Sequence, residues 1–382
     1  MSDLPALADA RALFSLPDTQ SYLNAAYMGA MPRASIAAGE QAYQRRAMPW
    51  QVSVEEDFFA VPERVRAAGA RLFNARADDI ALVTSASYGL AAAARNITLE
   101  AGREIVLLAG QFPSNVYIWR ELANRTGARI VTVERGQSES WTEAIAPHIG
   151  PATGLLACPM VHWIDGGLID LAALRPALDA CGAALVLDLT QSLGALPVDA
   201  RAVRPDFAVA AAYKWLLGPY QTGLLYVAPG HQGGTPLEEN WISRQGASDF
   251  ARLIDYQDGY EPGARRFDAG ERSGFQTLPA LLASLDLLNG YGAGAISARL
   301  CELTGALASA AAPFGLQPGT ADRAAHYLAL GLPDTAPSDL LERFRAEGVH
   351  LSRRGNSLRI SPHIYNHAAD IARFERALKA IF

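Results

Sequence analysis

Lysine is almost absent from this sequence. Its 33 basic residues include only two lysines, Lys214 and Lys379, so arginine supplies nearly every positive charge. Arginine stays protonated under ordinary conditions, whereas a lysine in apolar surroundings can lose its proton and become a nucleophilic amine. Lys214 lies in such surroundings, within FAVAAAYKWLLGPYQTGLLYV (residues 207–227). We interpret it as a candidate nucleophile; the alternative is a lysine whose stem packs while its ammonium reaches the surface.

Cysteines, long apolar runs and basic clusters are also scarce. No apolar run reaches the roughly 18 residues of a membrane span, and the start MSDLPALADARALF carries acids where a secretory leader has basic residues. With a formal net charge of -6 and no Lys/Arg-rich block, we expect a cytoplasmic protein without nucleic-acid or membrane partners. Reduced thiols are favoured over a disulfide frame or zinc knuckle by the wide spacing of the three cysteines, Cys158, Cys181 and Cys301.

The chain alternates short β-rich runs with helical patterns. This alternation predicts an α/β fold whose large domain has a mainly parallel, seven-stranded sheet. After about residue 275 the pattern changes to long helical stretches followed by short strands, which indicates a smaller α+β domain. We place the large domain at 16–275 and the small domain at 1–15 and 276–382. The predicted strands are DIALVTS, REIVLLAG, ARIVTVE, TGLLACP, AALVLDLT, DFAVAAAY and GLLYVAP.

Polar residues follow the predicted strands where an α/β sheet binds its ligands, beyond the carboxyl ends of the strands. Asp188 ends AALVLDL, and Gln191 follows shortly after it. A carboxylate facing a pyridinium nitrogen, with a lysine forming an imine on the other side of the ring, is what a pyridoxal phosphate site requires. An acid at a strand end is also a common helix cap, and this alternative stays open.

A phosphate-binding turn is the second requirement of such a site. LVTSASYGLAAAA reads as a strand followed by small residues that open a helix. The backbone N–H groups of Ala86, Ser87 and Tyr88 are candidates for cradling a phosphate at the positive end of that helix. Any tight connection from a strand to a helix has the same pattern, so the motif alone is weakly specific.

These segments carry a family resemblance. LDLTQSLGALPVD and the lysine segment resemble the D-x-x-Q and lysine motifs of class V pyridoxal-phosphate enzymes, which include class V aminotransferases, cysteine desulfurases, isopenicillin N epimerase-like proteins and kynureninase. The resemblance extends from YLNAAYMG near residue 22 to LRISPHIYNHAADIARFERAL, nearly the whole chain. It implies fold type I, pyridoxal 5'-phosphate as cofactor and an amino-acid substrate.

The resemblance also implies a role for each matching residue. Lys214 forms the internal aldimine, Asp188 keeps the pyridine nitrogen protonated, and Gln191 hydrogen-bonds the ring oxygen. Phe112 of QFPSNVYIW stacks on the ring, and Arg359 of RISP binds the substrate carboxylate. The alternatives are an ordinary core phenylalanine and an exposed edge-strand arginine. Help in holding the phosphate is implied for Ser87, Tyr88 and Tyr213.

Other positions stay open on the sequence. His162 either lines the substrate pocket with Trp163 or is a structural histidine, and Asn24 and Tyr27 either contact the substrate or pack. GARRFDAGERSGF corresponds to a family segment that reaches across a dimer interface, so a homodimer with shared active sites is expected. The alternative is a solvated charged loop. Candidates for completing the partner's site are Glu271, Arg272 and Ser273.

The departures from the family decide the predicted activity. The loop SRRGNS lacks the reactive cysteine of cysteine desulfurases. Many class V relatives stack a histidine on the ring and use it in proton transfer. Phe112 at this position cannot transfer a proton, so Lys214 must do so. We predict an aminotransferase that acts at the amino group and Cα of an amino acid through a quinonoid intermediate, with a 2-keto acid as possible second substrate. A lyase or an epimerase is the alternative, and a catalytically silent scaffold is the non-enzymatic one. HIYNH has metal-like spacing, but we expect no metal site because it straddles a strand end.

Overall fold

The computed structural model describes residues 4–136, 139–320 and 322–382. Within these ranges the strands are Ser21–Tyr22 (β1), Ile80–Val83 (β2), Glu104–Leu108 (β3), Arg129–Val133 (β4), Thr153–Pro159 (β5), Ala184–Asp188 (β6), Phe207–Ala211 (β7), Gly223–Val227 (β8), Leu328–Gly331 (β9), Val349–His350 (β10), Ser352–Arg354 (β11) and Ser357–Ile360 (β12). The α-helices are Arg33–Arg46 (α1), Val61–Phe73 (α2), Ala86–Asn96 (α3), Ser114–Thr126 (α4), Trp141–Ile145 (α5), Leu171–Cys181 (α6), Ala200–Val203 (α7), Thr277–Tyr291 (α8), Ala293–Ala311 (α9), Leu340–Ala346 (α10) and Ala368–Ile381 (α11). No helix in the described ranges has both the length and the apolar character needed to span a bilayer.

Seven strands form the main sheet in the order β2-β8-β7-β6-β5-β3-β4. They are the seven strands that the sequence predicts. β8 runs antiparallel to β2 and to β7, whereas the other neighbours pair in parallel. Most of the residues in these strands are buried, and a hydrophobic cluster lies on each face of the sheet. The prediction of a mainly parallel seven-stranded sheet is therefore confirmed.

A smaller antiparallel sheet, β11-β12-β9, forms a second core together with α9, α10 and α11. β1 pairs in parallel with β10, and Asn24 forms an isolated bridge with Ser361. The chain before α1 is thereby tied to the strands around Arg359. α8 packs against α1 and α2, so helical contacts continue from the C-terminal part into the larger unit. The exact domain boundaries stay a prediction.

Candidate active site

Lys214 and Asp188 lie beyond the same edge of the main sheet. Asp188 is the last residue of β6 and pairs with Val209 of the parallel strand β7. Lys214 follows β7 on a tight turn, which the hydrogen bond from Gly218 N to Ala212 O closes (2.9 Å). Leu217 in this turn has a left-handed backbone (φ 55°), a strained conformation that is common beside functional sites. Both side chains line one cavity of about 810 Å³.

The Lys214 amine is buried, with 7% of the residue exposed. Burial lowers its pKa from 10.5 to about 8; the charge of Asp188 opposes this shift, and those of Arg359 and Arg354 add to it. Nζ lies 5.3 Å from the centre of the Phe112 ring. By contrast, the Lys379 side chain is 63% exposed and pairs with Glu375 at 2.7 Å. The two lysines therefore differ: Lys214 is a buried amine beside a cavity, and Lys379 is a surface cation.

Asp188 is a buried carboxylate without a cation at contact distance. Its Oδ1 accepts a hydrogen bond from Thr190 N (3.0 Å), and no basic group of the described residues lies within 4.0 Å of it. Gln191 beside it is held at both ends: Nε2 donates to Ala26 O (3.1 Å), and Oε1 accepts from Trp215 Nε1 (2.9 Å). A buried charge without a partner is costly, so this arrangement provides a place for a cationic group.

The amino terminus of α3 points to the same cavity. Ser85 caps the helix by accepting a hydrogen bond from Tyr88 N (3.1 Å), and Ser87 Oγ donates to Ser114 Oγ (3.0 Å). Ala86 and Ser87 line the cavity, whereas Tyr88 is outside its lining. Helix amino termini attract anions because their N–H groups are unpaired and the helix dipole is positive there.

The segment around residue 271 forms another wall of the cavity. Glu271 and Arg272 line the cavity of their own chain. Arg272 Nη1 donates to Asp268 (2.7 Å), while its buried Nε has no partner. Ser273 is directed away, because its hydroxyl donates to Phe58 O (2.8 Å). Glu271 has a left-handed backbone (φ 55°). Contacts of this segment with a partner subunit stay a prediction.

A second cavity of about 500 Å³ adjoins the first and shares Lys214, Phe112 and Trp163 with it. Arg359 lines it and is only 1% exposed. Its Nε donates to Ser352 Oγ (2.9 Å) and its Nη1 to Tyr327 OH (3.1 Å), but the buried Nη2 has no partner. The guanidinium is thus fixed in place with one donor free, which suits a carboxylate.

The structure brings two of the four predicted substrate-contact residues, Arg359 and Tyr27, to this second cavity. Tyr27 lines it, whereas Asn24 and His162 do not. The His162 ring nitrogens contact Asp165 Oδ1 and Ala109 O, both at 3.2 Å, and the ring stacks on Trp141. These contacts explain His162 structurally. Asn24 keeps a buried Oδ1 without a partner.

Sequence reasoning missed several lining residues. Arg354 lines the second cavity, although the loop SRRGNS drew attention only for the cysteine it lacks. Its signal was available in the alternation of strand residues, since Ser352 and Arg354 share one face. Tyr220 lines both cavities, and further residues around the first are Thr84, Ser114, Gln221, Thr222, Gln276 and Thr277.

The histidines of HIYNH are accounted for by other contacts. His363 Nε2 contacts Trp215 O (3.2 Å), and burial lowers its pKa to about 4. His367 caps α11 by accepting a hydrogen bond from Ala369 N (3.2 Å). In the described residues, no group of three or more His, Cys, Asp or Glu is placed to hold a metal ion.

A buried lysine and an unpaired aspartate beyond the carboxyl edge of a mainly parallel sheet, next to a helix amino terminus, define the class of fold-type I pyridoxal-phosphate proteins. Residues 22–374 match the family model for class V aminotransferases. The chain therefore belongs to the class V aminotransferase family, whose cofactor is pyridoxal 5'-phosphate. The predicted family, fold type and cofactor are confirmed.

Known proteins similar to this chain differ in the reactions their names state. Kynureninase of Deinococcus radiodurans is 31% identical, with 78% of this chain and 72% of that protein covered. The uncharacterized aminotransferase YcbU of Bacillus subtilis is 27% identical, with 83% and 81% covered. A structure of C-DES with glycine covalently linked to its pyridoxal phosphate has a TM-score of 0.87 at 19% identity, covering 97% and 99%. That likeness shows a shared fold.

Proposed function

We propose that this protein is a pyridoxal-phosphate-dependent aminotransferase that acts on the amino group and Cα of an amino acid. The observation that carries the proposal is the grouping of three buried charged groups along two adjoining cavities: the Lys214 amine, the unpaired Asp188 carboxylate and the Arg359 guanidinium with its free Nη2. Each of these three groups can still form a bond, an ion pair or a hydrogen bond, and a different part of the cofactor or substrate would supply the partner.

The residues present fit the cofactor. Asp188 would pair with the pyridine nitrogen, since a buried carboxylate without a cation favours a protonated ring. The amino terminus of α3, with Ser87, would hold the phosphate. Phe112 is 40% exposed at the junction of the two cavities, where a planar ring would cover it. Gln191 keeps one Nε2 hydrogen free for the ring oxygen.

Lys214 has the chemistry that the reaction needs. When bound, pyridoxal phosphate withdraws electrons from the substrate Cα and weakens the bonds to that atom. With a pKa of about 8, a useful fraction of Lys214 is a neutral amine near physiological pH, so its Nζ can remove the Cα proton. Arg359 holds the substrate carboxylate through its free Nη2 and thereby fixes which bond at Cα faces Lys214.

Transamination is favoured because Lys214 is the principal acid–base group at the substrate cavity. Among the described residues that line it, no histidine, cysteine or carboxylate is present; its other polar groups belong to tyrosines, Trp163, Arg354 and Arg359. A lysine on one face of the substrate can take the proton from Cα and return it to the adjoining carbon of the cofactor, and this single-face transfer is what transamination requires. Epimerisation requires a second proton carrier on the opposite face of the substrate, for which this cavity provides its tyrosines among the described residues, and persulfide chemistry requires a cysteine.

A lyase reaction is the second candidate. It is supported by the kynureninase relative at 31% identity and by the aromatic residues Phe112, Trp163 and Tyr220 at the cavity, which provide contact area for an aromatic side chain. Product analysis separates the two candidates, because a lyase releases a fragment of the side chain, whereas an aminotransferase releases a keto acid and needs an amino acceptor such as a 2-keto acid.

We also propose a homodimer located in the cytoplasm. A run of exposed apolar side chains within one segment, Phe250, Leu253, Ile254 and Tyr256, supports the dimer, because exposed apolar surface that is clustered marks interaction sites. Gel filtration of the cofactor-loaded protein tests it: we expect about twice the chain mass, and a monomer with full cofactor binding would contradict it. The most exposed of these side chains are Ile254 and Tyr256.

The decisive test compares the two lysines. With added pyridoxal phosphate, the wild type and Lys379→Ala should show a visible imine absorbance band, which Lys214→Ala should lack. Proton transfer by a positioned group contributes about 10²–10⁴-fold to a rate, so Lys214→Ala should lose at least that factor in turnover of an amino acid with a keto acid. A wild type without the band would refute the proposal, and unchanged biological activity of Lys214→Ala would support a silent scaffold. Ammonia or side-chain release in place of keto-acid formation would identify a lyase.

A further inference from the structure

We propose that Arg354 forms a second anion subsite beside Arg359, and that the substrate is an amino acid with a short acidic side chain, aspartate or glutamate. The inference deepens the proposed function and rests on it for the reaction, since it assigns the substrate side chain of the same site. Four observations carry it: the placement of the two arginines, their lack of acidic partners, their mutual repulsion and the cavity they share.

The β11–β12 hairpin places both arginines on one face. Ser352 pairs directly with Arg359 across the hairpin, and Arg354 pairs with Ser357. Because strand residues alternate between faces, Ser352 and Arg354 point the same way as Arg359, and Ser352 confirms this by accepting the Arg359 Nε hydrogen bond. Diagonal neighbours of this kind have their backbones about 7–8 Å apart, so two long side chains on that face can both reach one short molecule.

Neither arginine is neutralised by its surroundings. Within the described residues, no carboxylate lies within 4.0 Å of either guanidinium. Arg354 Nη1 donates to the carbonyl of Arg353 (2.8 Å), and its buried Nε has no partner. Burial and the nearby charge of Arg359 both lower the pKa of Arg354. Two like charges held together without counter-charge favour a ligand that brings two negative charges.

The shared cavity is placed for a substrate. Arg354 and Arg359 both line the 500 Å³ cavity into which Lys214 also opens. The Arg354 guanidinium lies over Trp163, 5.6 Å from the ring centre, which restricts its motion. With the α-carboxylate on Arg359 and the amino group directed to Lys214, the side chain of the substrate extends toward Arg354. A carboxylate there would receive charge-assisted hydrogen bonds.

Ligand binding tests the subsite without turnover. Titration calorimetry of the cofactor-loaded protein with succinate and with propionate compares a dicarboxylate with the monocarboxylate that lacks its second carboxylate group. A hydrogen bond to a charged group is worth about 1.5–3 kcal/mol, so succinate should bind at least about 10-fold more tightly. Arg354→Gln should abolish this preference. The matched control Arg353→Gln should keep it, since Arg353 contacts Gly355 O (3.0 Å) and is outside the lining of the cavity.

Turnover provides the second measurement. The ratio of kcat/KM for aspartate or glutamate to that for alanine should fall about 10-fold or more in Arg354→Gln. Equal losses for all three substrates would mean that both arginines bind one carboxylate, and would overturn the inference. Equal binding of succinate and propionate to the unmodified protein would overturn it too, even if Arg354→Gln fails to fold. A dicarboxylate preference without an imine band would refute the proposed function alone, and a band with turnover but no such preference would refute the subsite alone.

Discussion

Two buried aspartates of this molecule have opposite surroundings. Asp268 is fully buried and accepts hydrogen bonds from Arg66 Nη1 (2.8 Å), Leu82 N (2.8 Å) and Arg272 Nη1 (2.7 Å), with a further bond from Arg66 Nη2. Asp188, nearly as buried, accepts one backbone hydrogen bond within the described chain. The first carboxylate is saturated by the protein, and the second is left open.

The difference separates charges that hold the fold from charges that serve a ligand. Asp268 joins α2, β2 and the segment before α8, and its saturation removes any need for an external partner. Asp188 sits at the end of a strand and lines a cavity together with Lys214, whose pKa its charge raises. An open valence at a buried polar group is costly. Of these two aspartates, the one with free hydrogen-bonding capacity is the one that lines the cavity.

Of the substitutions considered, Asp268→Asn should cause the largest decrease in the free energy of unfolding, because it removes the carboxylate that pairs with Arg66 and Arg272. Among the described residues, the substitution leaves the buried Arg66 with only the Glu63 carboxylate (3.0 Å) as counter-charge, and breaking a buried pair costs about 3–5 kcal/mol. Denaturant unfolding of the cofactor-free protein measures this change. The matched control is Asp286→Asn, which removes an exposed pair with Arg71 (3.3 Å) and should cost less than about 1 kcal/mol. An equal decrease in the free energy of unfolding for both variants would contradict a stabilising role of Asp268.

Asp188→Asn should lower catalytic efficiency without lowering the free energy of unfolding. Removing an unpaired buried charge should leave the free energy of unfolding of the cofactor-free protein unchanged or raise it. Catalytic efficiency should fall about 10- to 100-fold, because a charged hydrogen bond to the cofactor ring is lost. Unfolding curves and kcat/KM, measured with Asp286→Asn as reference, test both halves. A large loss of stability with full activity would make Asp188 structural.

The main sheet and one wall of the site could be predicted because their signals are local. The seven strands appear as apolar runs between turn residues, and parallel strands place their carboxyl ends at one edge, so Asp188 and Lys214 had to be neighbours. Lys214 also stood out by composition, in a chain that otherwise uses arginine.

The other wall depends on how the small sheet packs. Ser352 lies opposite Arg359 and Arg354 opposite Ser357, a register that the two-residue turn Gly355-Asn356 sets locally, but which face of this hairpin lines the cavity is decided by contacts with distant parts of the chain. His162 follows a strand end as the pocket residues do, yet its side chain is directed to Asp165. A strand end fixes where the backbone emerges, whereas the direction of the next few side chains is decided by their own hydrogen bonds.

The smallest expected effect is a shift in the pKa of Lys214 when a charged neighbour such as Asp188 is replaced. Its pKa of about 8 is below the ordinary 10.5. Between these pH values the unfolded chain holds a proton that the folded chain has released, so this lysine makes the free energy of unfolding rise with pH across that window. Asp188 raises the pKa and Arg359 lowers it. Asp188→Asn should therefore shift the midpoint below 8 and Arg359→Gln above it, each by roughly one pH unit or less.

The scarcity of lysine makes this measurement direct. Labelling lysine with ¹³C gives side-chain NMR signals from two residues only, Lys214 and the exposed Lys379, and Lys214→Met assigns them. In the cofactor-free protein, the Lys214 signal should titrate at lower pH than the Lys379 signal. Asp188→Asn should shift the Lys214 titration and leave the Lys379 titration in place. If neither signal titrated early, Lys214 would keep its proton at neutral pH. The amine would then depend on the bound cofactor, and not on burial, for its reactivity.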